Sequence, residues 1–342
     1  MSTLTEAAIF SKKASIWLAI SVVVLIFLMI FFGVAGSIKN ALFPAPPLPA
    51  TVAFGKLPRM DLSEGYKSAS STTYSLETVS GDLPVLPGGA KVFEISANVL
   101  SFGSIEDLKT KASRIGFSGQ SEEIAGKVKF TDPQDSNRVL LMESVTGNFT
   151  LRSNYATDQS IITSKPQSLE DAIEKASRFL LEFGLLEIEF PAEKIKTEFI
   201  RIDGNSLTKV QSLSAANLVQ VDFFRGDLDK LAVIWPRDTS ALTSVLVSQL
   251  KVVSADLNLQ PIKKDSFASY PLKGVSKAFE DLKAGNAAFV RPIKNSDITI
   301  VDVKLGYVES SKNAEYLEPV YLFLGQDDQI GYVPAVSDLW LK

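Results

Sequence analysis

Hydrophobic and polar positions along the chain fall into three regimes. The first is an unbroken apolar block, Ile16 to Ile38, reading IWLAISVVVLIFLMIFFGVAGSI, 23 residues without a charge. A helix of that length spans roughly 34 Å, enough to cross the hydrocarbon core of a bilayer with slight tilt. The spacing therefore predicts a transmembrane helix over 16–38 with a short tail, 1–15, before it. Trp17 sits at one end, where an amphipathic ring favours the interface. A secretory signal peptide also starts with basic residues, here Lys12 and Lys13, and Val34-Ala35-Gly36 is a weak cleavage candidate. The apolar core of such a peptide is shorter than this one, so an uncleaved anchor is the expectation. Lys12 and Lys13 precede the block and only Lys39 follows it closely, which places the N-terminus in the cytoplasm and the rest outside it.

The second regime, 39–90, has no sustained period. Phe43-Pro-Ala-Pro-Pro-Leu-Pro49 predicts extended polyproline II, and a Ser/Thr patch at 68–73 and Pro84, Pro87, Gly88 and Gly89 follow. This composition predicts a tether holding the remainder off the membrane, with short strands at 51–54 and 74–79.

From Lys91 the pattern alternates between period 3.6 and period 2. Ser104-Ile-Glu-Asp-Leu-Lys-Thr-Lys-Ala-Ser-Arg114 aligns with Ser168-Leu-Glu-Asp-Ala-Ile-Glu-Lys-Ala-Ser-Arg178, identical at seven of eleven positions at an offset of 64. Ser followed three residues later by Asp is a helix-start spacing, and acidic residues suit the positive end of a helix. A third helix is predicted over 275–284, where Glu280-Asp-Leu-Lys283 echoes Glu106-Asp-Leu-Lys109. Strand-like runs follow each helix. Among them Gly226-Asp227 reads as a hairpin turn between 218–224 and 228–235, and 244–257 as one long strand. The resulting expectation is an α+β fold: an N-terminal transmembrane helix, then helix plus antiparallel meander units at 91–160, 161–262 and 263–342.

Composition narrows the chemistry. The chain has no Cys and no His and a net charge of −4, with Lys and Arg scattered. Cys–His and Ser–His–Asp catalysis and imidazole or thiolate zinc sites are excluded, and nucleic acid is not an expected partner. No Gly-rich phosphate loop lies between a strand and a helix, and no cofactor is expected.

Ile298-Thr-Ile-Val-Asp-Val-Lys-Leu-Gly-Tyr307, Tyr316-Leu-Glu-Pro-Val-Tyr-Leu-Phe323 and Gly331-Tyr-Val-Pro-Ala-Val336 resemble the end of PepSY-like and YycH/YycI-like extracytoplasmic domains. The resemblance covers roughly the last 70 residues and the architecture of an anchor followed by helix–meander units. It implies a non-catalytic regulator or partner of membrane sensor kinases and secreted enzymes. It carries over no functional residue.

The remaining motifs have ordinary structural readings. Ser206-Leu-Thr-Lys209 fits S-x-x-K, but it follows the turn Asp203-Gly-Asn205 rather than opening a helix. Arg225-Gly226-Asp227 is an adhesion tripeptide and equally plain turn chemistry. The acidic pairs Glu106-Asp107, Glu122-Glu123, Glu170-Asp171, Glu280-Asp281 and Asp327-Asp328 suit helix starts, solvated faces and a hairpin tip. Two acids facing across a cleft would serve glycoside hydrolysis, which adjacent residues do not achieve. Asp132-Pro-Gln-Asp135-Ser-Asn137 and Asp227-Leu-Asp229 lack a calcium loop's spacing. Asn148-Phe-Thr150 is a glycosylation sequon. Phe183, Phe190, Phe223, Phe224 and Trp235 are expected in the core. The sequence thus reads as a non-catalytic extracytoplasmic module. It is expected to contact the bilayer through Ile16–Ile38 and to bind another envelope or membrane protein. The alternatives are a carboxylate-based envelope hydrolase and a purely structural envelope protein.

Overall fold

The computed structural model describes residues 49–69, 71–95, 105–184, 189–204, 206–237, 241–293, 296–310 and 314–342. The apolar block 16–38, the Pro-rich run 43–48, Ser104 and Asn205 lie outside the described residues. Among the described residues no helix is long and apolar enough to cross a membrane.

In chain order the elements begin with β1 (Thr73–Leu76) and β2 (Gly89–Ile95), then α1 (Ile105–Arg114) and a meander of β3 (Ser121–Ile124), β4 (Lys127–Thr131), β5 (Val139–Glu143) and β6 (Phe149–Arg152). Next come α2 (Gln159–Thr163), α3 (Leu169–Leu181), β7 (Ile195–Asp203), β8 (Ser206–Val210), β9 (Leu218–Phe223), β10 (Ala232–Ile234), β11 (Thr243–Ser248) and β12 (Val252–Leu257). The chain ends with β13 (Ile262–Pro271), α4 (Val275–Lys283), β14 (Ala288–Phe289), β15 (Asp297–Val308), β16 (Tyr316–Leu317), β17 (Pro319–Gly325) and β18 (Ile330–Pro334). Helix and strand are mixed, with strand predominating.

The two related helices serve one sheet. The meander after α1 and the strands after α3 join edge to edge through β6 and β12, giving nine antiparallel strands in the order β3-β4-β5-β6-β12-β11-β9-β7-β8. Leu108 and Ala112 of α1 and Ala172, Ala176, Phe179 and Leu180 of α3 bury against one face of it. Phe149 at the joining strand stacks on Phe183 with ring centroids 4.2 Å apart and meets Phe179 edge-on at 5.9 Å. Offset and edge-to-face pairs of this kind add to area burial. Ser168 begins α3 as expected, its side chain accepting a hydrogen bond from the Asp171 N–H at 3.1 Å. The opposite face, around Ile200, Ile202, Leu218, Leu246 and Val253, is covered by Ile161 of α2.

Two expectations within this region are corrected. Residues 244–257 form two strands, not one. The turn between β11 and β12 contains no Gly or Pro. The Ser248 hydroxyl closes it instead, accepting from the Lys251 N–H at 3.0 Å and donating to the Lys251 carbonyl at 2.8 Å. Nor does Gly226-Asp227 form a hairpin. The tight turn is Leu228 to Leu231, with Asp229 and Lys230 at φ 53° and 66° and paired backbone hydrogen bonds of 2.9 and 3.0 Å. β10 then leaves β9 altogether and runs parallel to β15.

The remaining strands build two smaller sheets. One follows the order β1-β15-β17-β18-β14, with β10 also on β15. Its core sets Val275, Ala278, Phe279 and Leu282 of α4 against Phe289, Ile300, Val303, Tyr321 and Phe323. The other has the order β13-β2-β16. α4 starts differently from α3, at Gly274 with φ 84° and no side-chain cap. Its Asp281, part of the echoed Glu280-Asp-Leu-Lys283, is buried at the far end and takes Lys273 at 2.8 Å.

Of the expected tether 39–90, residues 49–69 and 71–90 pack into this second region. Leu57 is fully buried, its N–H donating to the Trp340 carbonyl at 2.8 Å while its own carbonyl accepts from Lys342 at 2.8 Å. The Thr51 and Val52 N–H groups both reach the Ser269 carbonyl at 3.1 Å, and β1 pairs in parallel with β15. The prolines and serines masked a sparse set of apolar residues, among them Tyr66, Tyr74, Leu76, Leu83 and Leu86, that pack on the α4 core.

Gly306 of β15 is where β10 approaches closely. A Cβ there would lie 2.9 Å from the Ala232 carbonyl oxygen and closer still to the Leu322 side chain. Gly306→Ala should lower stability by about 1–3 kcal/mol through overpacking. Gly88→Ala, whose Cβ would meet nothing within 4 Å, should change it by less than about 0.5 kcal/mol. Chemical denaturation of the purified chain reads both.

Candidate functional site

The chain passes from the three-stranded sheet to the six-stranded sheet at one residue, Glu318. Leu317 of β16 pairs with Phe93 of β2, and Pro319 opens β17 opposite Tyr307. A residue before proline is held extended, which suits a chain changing sheets without a loop. Glu318 lines a cavity of about 300 Å³ whose apolar walls include Met60, Ile95, Ile262, Val308 and Leu317. The residue is 4% exposed, and its Oε2 meets no hydrogen-bond partner. Burial pushes its carboxyl up to about 8. A carboxylic acid in such a place holds its proton at neutral pH because nothing replaces the water that would solvate the charge.

A second buried glutamate on the cavity wall has the opposite surroundings. Glu309 follows β15, its N–H donating to the Ile234 carbonyl at 2.9 Å. Its carboxylate accepts from the Arg225 Nε at 2.6 Å. Arg225, 4% exposed, also pairs with Glu189 and donates from Nη2 to the Gln260 carbonyl at 2.8 Å. Glu189 in turn takes Lys264 at 2.9 Å. The network lies at the meeting of the two regions, because Arg225 follows β9 of the nine-stranded sheet and Glu309 follows β15 of the six-stranded one.

The motifs singled out in the sequence do not converge. The Arg of Arg225-Gly226-Asp227 is buried in this network and Asp227 pairs with Lys194 at 2.9 Å, so the tripeptide is not displayed. Ser206 and Lys209 lie on the exposed edge strand β8, opposite Asp203 and Ile200. Lys209 reaches Glu198 at 2.7 Å, and three residues along a strand point to opposite faces. Glu106-Asp107 and Glu170-Asp171 open α1 and α3, and Glu122-Glu123 is exposed on edge strand β3. Asp327-Asp328 forms the β17–β18 tip with both φ at 55°. Asp132 and Asp135 accept from the N–H groups two residues on, at 2.8 and 3.0 Å, in a turn. Among the described residues no group of three or more acids is placed to hold a metal. The sequon residue Asn148 accepts from the Leu259 N–H at 3.0 Å. Phe183, Phe190, Phe223 and Trp235 are buried, while Phe224 is half-buried beneath Lys196.

Glu309 and Glu318 were missed as site residues. The available signal was a lone acid followed by Pro inside an apolar strand run, Tyr316-Leu-Glu-Pro-Val-Tyr321, which breaks the strand pattern where a solvated position is not expected.

Two outcomes test these environments. Glu318 has its folded-state value raised from 4.5 to about 8, so its favourable contribution is complete below pH 4.5 and is lost as pH rises through 8. The loss approaches about 5 kcal/mol. Denaturation midpoints of the wild-type chain should fall across that window, and Glu318→Gln should flatten the fall. Arg225→Met leaves the buried Glu309 carboxylate without its cation, while the half-buried Glu189 keeps Lys264, and should cost about 3–5 kcal/mol, read by the same denaturation at pH 7.

No family model matches this sequence, and no curated protein matches it. Among solved structures, an uncharacterised protein from Eubacterium rectale ATCC 33656 is similar at a TM-score of 0.35 and 12% identity, covering 76% of this chain and 87% of that one. The Bacillus megaterium YpeB C-terminal domain is similar at a TM-score of 0.31 and 15% identity, covering 72% of this chain and 95% of that one. At these values the likenesses show no family.

Proposed function

We propose that this chain is a non-catalytic, protein-binding module held at a membrane by Ile16–Ile38, with residues 49–342 outside the cytoplasm. The observation that carries the binding reading is the cavity at the sheet crossover. It combines apolar walls with one buried acid whose oxygen lacks a partner. Apolar walls around placed polar groups are common to binding sites, and this lining also carries Arg59, Asp61, Glu309 and Glu315. The anchor and the resemblance of the C-terminal strings to extracytoplasmic regulatory domains support the location.

A carboxylate hydrolase is the second reading, because two buried glutamates, Glu309 and Glu318, line one cavity, one bonded to Arg225 and the other with an unpartnered oxygen. Two carboxyl groups at one cavity are what glycoside hydrolysis requires. The Arg225 bond weighs against it: a carboxylate tied by a buried guanidinium is poorly placed to attack or to activate water. Incubation with a polysaccharide substrate would separate the two. Release of reducing ends by the wild-type chain, abolished in Glu318→Gln, would overturn the binding reading.

The direct test is photo-crosslinking in cells from a residue at the cavity. Arg59 and Glu315 are exposed lining residues, and Val145 is exposed outside the cavity lining. A photoreactive residue at 59 or 315 should capture one discrete protein, and one at 145 should not. Equal capture from all three, or none from 59 and 315, would sink the proposal. External protease on intact cells should remove a C-terminal tag, and a protected tag would reverse the orientation.

A further inference from the structure

We infer that the Glu318 cavity receives a primary ammonium group on an unbranched apolar stem, the side chain of a lysine from a partner protein. The inference rests on the binding reading above and names the chemistry of its site. Three features of the cavity converge on it. Its volume of about 300 Å³ suits a single side chain or small ligand rather than a folded surface. Its walls, Ile95, Ile262, Val308 and Leu317, offer apolar contact to a four-carbon stem. Glu318, on the lining, carries a carboxyl whose Oε2 is enclosed by protein and has no donor of its own, so the side chain must turn toward the cavity to meet an arriving group. An ammonium is a compact charge with three rotatable donors and can meet the one unpartnered oxygen, Oε2, end-on, whereas a guanidinium pairs best with both oxygens of a carboxylate approached in their plane.

The other charged groups on the lining are mostly acidic: Asp61, Glu309 and Glu315 stand against one base, Arg59. The charge of Glu309 is engaged by Arg225. Once Glu318 ionises, the cavity is net negative even with Arg59 counted. The arriving ammonium supplies the charge that makes ionisation favourable. At neutral pH the carboxyl then gives up its proton to the buffer as the ion pair forms, and no other bond changes.

Calorimetric titration of the full-length chain in mild detergent at pH 7, with Nα-acetyl-lysine methylamide as the probe, tests this. Saturable binding is expected, with proton release visible as a dependence of the heat on buffer ionisation enthalpy. The Nε-acetylated probe, and the Glu318→Gln variant with the unmodified probe, should each bind at least about tenfold more weakly. Thermal melting confirms that the variant is folded, and Glu318→Leu repeats the comparison. Equal binding of the Nε-acetylated probe, unchanged affinity in both variants, or no saturable heat would overturn the inference. Binding of 1,4-diaminobutane tenfold tighter than the lysine probe would overturn the assignment to a protein lysine. A crosslinked partner without lysine binding defeats this inference alone. Lysine binding without any crosslinked partner defeats the protein-binding reading.

Discussion

The guanidinium of Arg225 joins the region around the nine-stranded sheet to the region around the six-stranded one. It reaches Glu309 after β15, Glu189 before β7 and the Gln260 carbonyl between β12 and β13. A buried cation is costly unless its donors are met, and here three separate chain segments meet them. That requirement fixes the positions of the ends of three strands at once. The apolar contacts beside it, Leu228, Val233, Ile262 and Tyr307, are non-directional and would tolerate a shifted arrangement. The ion network supplies the direction they lack. Tyr307 adds to it by donating from its hydroxyl to the Lys91 carbonyl at 3.0 Å, tying β15 to β2.

Given that fixed junction, the cavity follows from topology. β16 belongs to the three-stranded sheet and β17 to the six-stranded one, and Glu318 alone separates them. No loop is available to turn the side chain outward, so the acid is delivered to the interior. A natural fold that only had to be stable could place an apolar residue there, since a buried polar group left without a partner carries a desolvation cost that an apolar group of the same shape avoids. An acid with an unpartnered oxygen at this position is a local inconsistency of the kind that marks functional positions. The binding proposal assigns that inconsistency a purpose.

Local signals in the sequence carried well where they depended on neighbours along the chain. Ser168 caps α3 through the Asp171 N–H because the spacing alone determines that bond. The tip at Asp327-Asp328 likewise follows from residues that tolerate positive φ. Long-range assembly was not legible. Nothing within 149–152 announces that β6 pairs with 255–257, about a hundred residues later, merging two repeat units into one sheet. Composition also misled at 49–90, where prolines suggested a spacer. The buried residues Leu57 and Ala90, and the partly buried Tyr66 and Leu76, occur too sparsely there to make a period.

The site was illegible for a related reason. Glu318 and Glu309 each look like one acid in a strand-rich stretch, and an acid in a strand is ordinarily a solvated position. What separates them from Glu122 or Glu123 on edge strand β3 is whether another sheet lies over them, a fact held by residues up to about 250 positions away in the chain. The same distance explains why the two glutamates differ from each other. Glu309 meets Arg225, so its charge is balanced inside the protein. Glu318 has no such cation among the described residues, so its charge waits on one supplied from outside. A fold that already solves the buried-carboxylate problem a few residues upstream, with an arginine, and leaves it unsolved on the wall of a cavity, points to the cavity's occupant as the missing cation.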